Sequence, residues 1–345
     1  MTDVAIAASS TGHARLLDVL VAGCGGHAAD TLVPALASSG RARIVGFCDL
    51  DISRAEGLQR RFASRYVSSD LHHLIDQVRP DAVVMAGPPA MHVDGGLHAL
   101  EVGCHLFVEK PPAETTAGLR KLASTAARTG RVGMVGHNLR HTASWRRLQE
   151  RIEPNQVASM VVGYHASGPT GPRWGLSPLE GFVLGHVVHA LDLFNATFGP
   201  AAATFHHVAD AGNGRFALTS QWESISGAIG TAVVSTCAPR LDWNVQLVTS
   251  DGTLARITSP RDLEIQTPRG PGEWSAGQRH QWKARTLDAG YDTAGYGTEL
   301  DHFFDAVVGA RTPAPSLTDE LAVYQAIDDL YSQTGLPRNR TDDQP

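Results

Sequence analysis

Residues 16–28 read Leu-Leu-Asp-Val-Leu-Val-Ala-Gly-Cys-Gly-Gly-His-Ala, and their reading decides the fold. Residues 16–22 form a short apolar run that stops at glycine, the mark of a buried strand. Gly23, Gly25 and Ala28 then fit the spacing G-x-G-x-x-A. Gly23 permits a tight turn, Gly25 lets a pyrophosphate approach the backbone, and Ala28 lets a helix pack closely on the strand. The helix that follows offers free N–H groups and a positive dipole end to phosphates. A glycine-rich turn is a weak signal by itself; a strand before it, a helix after it and an acid at the end of the next strand give it weight. Residues 27–38 have helical spacing, residues 43–48 read as a second strand, and Asp49 stands 21 residues beyond Ala28. A carboxylate there accepts hydrogen bonds from the adenosine ribose hydroxyls and repels a 2′-phosphate. NAD is therefore expected over NADP, with Arg54, one turn further on, as the feature that would suit NADP. The expected cofactor contacts in this region are Gly23, Cys24, Gly25, Gly26, His27 and Asp49.

The alternation continues outward from this unit. The spacing predicts helices over 52–66, 89–103 and 115–129, and strands over 81–86, 105–108 and 132–136. Pro34, inside the first helix, should kink it or weaken a turn. Short apolar strands without clean alternation, separated by helices, predict a doubly wound parallel sheet covered on both faces. The character changes after residue 136. A helix is expected over 140–153, a strand over 158–165, a loop rich in glycine and proline over 167–179, and a helix over 185–198. Strand-like runs follow one another from 204 to 266, clearest at 216–223, 227–237, 243–249 and 253–258. Ser250-Asp251-Gly252 makes a hairpin turn between the last two. Closing helices are expected over 296–310 and 318–334, with Thr318 capping the second and Gly335 beyond its end. Successive strands joined by turns make an antiparallel sheet. The expectation is an α/β Rossmann domain at 15–137, an α+β domain at 138–337, and a frayed tail over 338–345.

Composition sets outer bounds. A chain of 345 residues is comfortable for two domains, and 42% hydrophobic residues can fill their cores. A net charge of −6 argues against a nucleic-acid footprint, which needs a basic surface. Cys24, Cys48, Cys104 and Cys237 are widely spread and read as free thiols of a reducing compartment rather than as disulfides or zinc ligands. No run approaches the ~20 apolar residues of a membrane span, and the first residues lack the basic and apolar regions of a secretory signal. A cytoplasmic protein with neither nucleic-acid nor membrane partners is expected.

Ligands of open α/β sheets sit at the carboxyl ends of the strands. One such end carries Gly87-Pro88-Pro89 with His92 shortly after, and the next carries Glu109-Lys110-Pro111-Pro112. Two prolines fix the backbone after Lys110 and aim its side chain. Desolvated or near a positive nicotinamide, that lysine would have its pKa lowered toward the range useful for proton transfer. Without further pattern, a lysine before a turn is more often a surface residue. In the second half His186, His189 and Asp192 fall at i, i+3 and i+6. His189 could exchange a proton with a substrate oxygen and Asp192 could orient it; helix packing is the plain alternative. No further ligand accompanies them, so no metal is expected. Arg173 and Trp174 lie in the glycine- and proline-rich loop, where arginine suits a phosphate or carboxylate and tryptophan a sugar face, or both simply anchor the loop.

The glycine loop at 23–28, Pro88 with His92, and Glu109-Lys110-Pro111 together resemble the Gfo/Idh/MocA family of oxidoreductases. The resemblance continues through 135–140 (Val-Gly-His-Asn-Leu-Arg), 185–192 (Gly-His-Val-Val-His-Ala-Leu-Asp) and 297–319, and so covers nearly the whole chain. It implies a Rossmann domain followed by an open-faced, mostly antiparallel sheet whose exposed face makes a homodimer or homotetramer contact. It implies a nicotinamide cofactor held by the glycine loop, Asp49, Gly87, Pro88, His92, Glu109, Lys110 and Asn138. Lys110 and His189 would serve as acid and base beside the transferred hydride. Arg140, Arg173, Trp174, His186 and Asp192 are the candidate substrate wall, and the substrate is expected to be a polyhydroxylated sugar, cyclitol or sugar nucleotide. The family pattern often has an aspartate four residues before the histidine; this chain has Gly185, so a Lys–Asp–His relay lacks its middle member. A dehydrogenase is the first expectation. A redox-neutral elimination or epimerisation that recycles NAD, and a non-catalytic NAD-linked sensor, are the alternatives.

Overall fold

The computed structural model describes residues 15–168, 171–270 and 276–338, and nearly all of the expected frayed tail lies outside them. Six parallel strands build the first sheet: β1 (Leu17–Ala22), β2 (Ala42–Cys48), β3 (Tyr66–Ser68), β4 (Ala82–Met85), β5 (His105–Glu109) and β6 (Gly133–Gly136). Their order is β3-β2-β1-β4-β5-β6, the doubly wound arrangement with its switch point between β1 and β4. Crossovers run through α1 (Val33–Ser38), α2 (Ile52–Phe62), α3 (Leu71–Val78), α4 (Pro89–Glu101) and α5 (Thr116–Thr129). Pro34 sits in the first turn of α1, and the turn before it, Ala28–Leu32, widens into a π-helix. A proline removes one N–H and crowds the preceding turn, so the ladder is displaced there instead of kinking. The short edge strand β3 lies where the sequence predicted the end of a helix; Ala63 in the left-handed conformation stops α2 early.

The second sheet has eight strands: β7 (Val157–Ser167), β8 (Ala201–Gly212), β9 (Arg215–Ser224), β10 (Ile229–Ser235), β11 (Cys237–Thr249), β12 (Leu254–Ser259), β13 (Asp262–Pro268) and β14 (Ala276–Lys283). The order is β14-β13-β12-β11-β7-β10-β9-β8, antiparallel except for the β7–β10 pair. The expected helix over 140–153 is shorter, a 3₁₀ turn (Asn138–His141) followed by α6 (Ala143–Gln149), whose first turn Thr142 caps. The expected helix over 185–198 begins earlier: α7 (Pro178–Phe182) runs through a π turn (Val183–Val187) into α8 (Val188–Phe198). One face of the sheet packs on α8; the other leaves Val161, Phe205, Ile229 and Val233 exposed.

The chain ends in α9 (Gly290–Thr293), α10 (Tyr296–Val307) and α11 (Glu320–Thr334). Thr318 does not cap α11; Ser316 and Asp319 bond one another at its start instead. Leu300, Phe303 and Phe304 of α10 share the core of Val19, Val21 and Val84, so the C-terminal segment covers one face of the first sheet. Tyr324 of α11 bonds the backbone of Ala113 beyond β5. Among the described residues no helix is long and apolar enough to cross a membrane.

Candidate active site

The carboxyl ends of β1, β2, β4 and β5 open into a cleft of about 1340 Å³, closed on the far side by β7, α8 and the loop that carries Arg173. At its floor the Gly23 N–H donates to the Cys48 carbonyl at 2.8 Å, with φ at +88°. A Cβ on Gly23 would stand 2.5 Å from the Ala86 carbonyl oxygen, whereas one on Gly25 would meet nothing within 4 Å. The loop is thus packed from below and open from above, as a phosphate cradle requires. Asp49 accepts from the Cys24 N–H at 2.7 Å and the Asp51 N–H at 2.9 Å, which fixes its carboxylate at the cleft wall with lone pairs to spare. Cys24 contributes that N–H, but its thiol is buried against the Cys48 carbonyl, and burial pushes its pKa up to about 12. Arg54 also reaches the cleft, paired with Asp51 at 3.2 Å.

His92 does not line the cleft. It is fully buried, accepts from the Gly87 N–H at 3.0 Å through Nε2, and faces the Pro111 carbonyl at 3.0 Å through Nδ1. Burial pulls its pKa down to about 4, so the neutral ring donates through Nδ1 and braces the end of β4 against the turn after Lys110. Gly87 and Pro88 line the cleft themselves. Glu109 lies under His27 at 3.3 Å, and His27 meets Tyr296 edge-on. Burial alone would raise the Glu109 pKa, but His27 and Lys110 outweigh it and hold the carboxyl below its usual range.

Lys110 leaves the end of β5 and donates from Nζ to the Gly185 carbonyl at 3.0 Å. Gly185 belongs to the π turn before α8, where the helical ladder is displaced by a residue. Burial lowers the Lys110 pKa, Glu109 opposes this and Arg173 adds to it, leaving it at about 8. His189 lines the same cleft, its ring stacked on Tyr164 at 5.2 Å. Burial and then Lys110 hold it well below the ordinary histidine range, so the ring is neutral. Asn138 lines the cleft and is anchored by donating to the Ala294 carbonyl at 2.9 Å.

Three predicted substrate contacts lie elsewhere. Arg140 grips both carboxylate oxygens of Asp192, so neither side chain reaches the cleft and Asp192 does not orient His189. Asp192 instead faces His137 at 3.7 Å, and Glu320 holds the other side of that ring at 3.0 Å. His137, Asp192 and Glu320 are the group among the described residues whose potential ligand atoms converge within 4.8 Å. His186 packs against Phe182 and Tyr164 behind the cleft, and burial takes its pKa down to about 4. Arg173 and Trp174 do line the cleft. Sequence reasoning missed Tyr164, Tyr296 and His137. Tyr164 and Tyr296 look like ordinary sheet and helix residues; His137 stood inside a quoted motif without a signal of its own.

A sequence profile of the oxidoreductase family with an NAD-binding Rossmann fold matches residues 17–137. A dehydrogenase from Chromobacterium violaceum superposes with a TM-score of 0.86 at 29% identity, over 93% of this chain and 96% of that one. These matches place residues 17–137 with the Gfo/Idh/MocA oxidoreductases. Inositol 2-dehydrogenase 3 of Saccharopolyspora erythraea is 25% identical over 81% of this chain and 82% of its own. D-glucoside 3-dehydrogenase of Escherichia coli K12 is 30% identical over 34% of each chain, so the match spans about a third of that relative. In this chain the backbone carbonyl of Gly185 is the partner of Lys110, and a Cβ at Gly185 would meet nothing within 4 Å.

Proposed function

We propose that the protein is an NAD-dependent dehydrogenase that oxidises a carbinol carbon of a polyhydroxylated small molecule, with Lys110 and His189 as its acid and base. The observation that carries this reading is a half-buried lysine, held by the Gly185 carbonyl with its pKa lowered to about 8, and a neutral histidine in the cleft that the glycine loop opens into. Bound NAD⁺ would supply the hydride acceptor. The open face at Gly25 and the fixed carboxylate of Asp49 suit its pyrophosphate and its unphosphorylated adenosine ribose. Deprotonated Lys110 takes the proton of the substrate hydroxyl as the carbon is oxidised, and returns it in the reverse direction. The Gly185 carbonyl holds Nζ at the cleft wall. His189, held flat by Tyr164, presents a neutral ring to the same oxygen. Sugars and cyclitols are the substrate class that the named relatives favour.

Purified protein mixed with NAD⁺ and a panel of cyclitols, sugars, sugar acids and sugar phosphates should accumulate NADH with one class. Lys110→Met should lower kcat by about 10²–10⁴-fold while NAD binding persists. Turnover within a few fold of the parent would remove Lys110 from the chemistry. NAD binding without NADH accumulation from any compound would favour the redox-neutral or sensor activity.

A further inference from the structure

The substrate end of the cleft carries an uncompensated positive charge. Arg173 lines it, and no ion pair or side-chain hydrogen bond joins its guanidinium to any described residue. The other two arginines near the site are paired, Arg140 with Asp192 and Arg54 with Asp51. Arg173 is nonetheless held in place. Its guanidinium lies 4.1 Å from the centroid of the Trp174 ring. The backbones of Arg173 and Leu176 bond each other in both directions, at 3.2 and 2.9 Å. Trp174 adopts a φ of +59°, a strained conformation for a non-glycine residue and one that gathers at functional sites. The groups around Arg173 do not offset its charge. Lys110 is a cation whose charged form Arg173 disfavours, burial disfavours the charge on Arg173 itself, and His186 and His189 are neutral. Glu109, the carboxylate at this end, is buried beneath His27.

We infer that the substrate bears a carboxylate in addition to the carbinol that is oxidised, and that Arg173 receives it beside the Trp174 ring. A guanidinium fork matches a planar carboxylate in bidentate fashion. A phosphate dianion would call for a second cation, and Lys110 is already committed to the reacting oxygen. The inference rests on the dehydrogenase reading for the place of the carbinol, but the anion site stands on Arg173 itself. The substrate class is thus a sugar acid. Its carboxylate would also offset the repulsion between Arg173 and Lys110, raising the Lys110 pKa in the complex.

Two measurements test this separately from the dehydrogenase reading. In the first, NADH formation is compared for D-gluconate, D-glucose 6-phosphate, D-glucose and myo-inositol. Gluconate should exceed the neutral compounds by at least about tenfold in kcat/KM, and Arg173→Ala should collapse that ratio, chiefly through KM. In the second, calorimetry follows D-gluconate binding to the NADH-loaded protein. Arg173→Ala should weaken it by about tenfold or more and Arg173→Lys by less, and rising salt should weaken the parent's binding. Equal gluconate binding by parent and Arg173→Ala, or a neutral compound preferred by both, overturns the inference. Preference for the phosphate ester would replace the carboxylate by that anion and overturn the sugar-acid assignment. Arg173-dependent gluconate binding without NADH formation from any compound would leave the anion site standing and defeat the dehydrogenase reading.

Discussion

Lys110 concentrates the residue-scale physics of the site. It is half-buried, its partner is a neutral carbonyl, and desolvation, opposed by Glu109 and reinforced by Arg173, brings its pKa down to about 8. A base must be deprotonated to act. Below its pKa, kcat/KM for alcohol oxidation should fall about tenfold per pH unit and should level off above it. Gly185→Asp would replace this neutral setting, since the space at that position is open. A carboxylate beside Nζ favours the ammonium form, so the acidic limb should move up by roughly one pH unit, and oxidation at neutral pH should slow. A pH–rate profile reads both effects; an unshifted limb would mean that the aspartate does not reach Lys110 or that another group titrates. That Asp49 and the glycine loop line the cleft was legible from spacing after a strand, whereas Lys110 and His189 were singled out by the family resemblance. Asp192 and His92 do not line the cleft, for a common reason. Sequence places them near the site, but burial had already assigned their hydrogen bonds, one to Arg140 and one to Gly87 and Pro111.

At the scale of elements, the joint between β6, α8 and α11 is charged and dry. His137 follows β6, Asp192 lies on α8 and Glu320 opens α11, and the three side chains are no more than 1% exposed. Burial opposes a charge on His137, but Asp192 and Glu320 outweigh it, and its pKa is raised above the ordinary 6.5. A group whose folded pKa is raised stabilises the fold fully below its unfolded pKa and loses that contribution as pH climbs through the folded value. His137→Gln keeps a donor but cannot be charged. It should cost about 3 kcal/mol near pH 6, and the deficit should shrink as the pH rises well above 7. Urea unfolding of both proteins across that range checks it; a deficit constant with pH would show that His137 is neutral in the fold. No sequence pattern announces such a joint, because its members are 55 and 128 residues apart. The elements themselves were mostly legible, since period and turn chemistry are local. The strands β3 and β14 were not: the first is a three-residue edge, and the second, Ala276–Lys283, is polar along its length.

The whole molecule leaves one broad surface without a covering layer. Val161 of β7 stands opposite Thr231 of β10 and Gln246 of β11, and Thr231 stands opposite Gln221, which faces Phe205 of β8. These residues therefore share the face turned away from α8, where Val161, Phe205, Ile229 and Val233 are 40–55% exposed. An open antiparallel sheet normally presents polar side chains to water on its free face, and a cluster of large apolar ones marks a contact surface. We propose that its occupant is a second copy of the chain, as the family resemblance implies. Two such faces meeting about a twofold axis would bury the same patch twice, as an isologous contact does. The protein should therefore sediment as a dimer or a dimer of dimers. Val161→Glu with Val233→Glu places two carboxylates on each side of the contact, so like charges would meet across it without partners. The double variant should run as a monomer with an unchanged circular dichroism spectrum. A parent that is itself monomeric at tens of micromolar would leave this face solvent-exposed and remove the sheet from assembly.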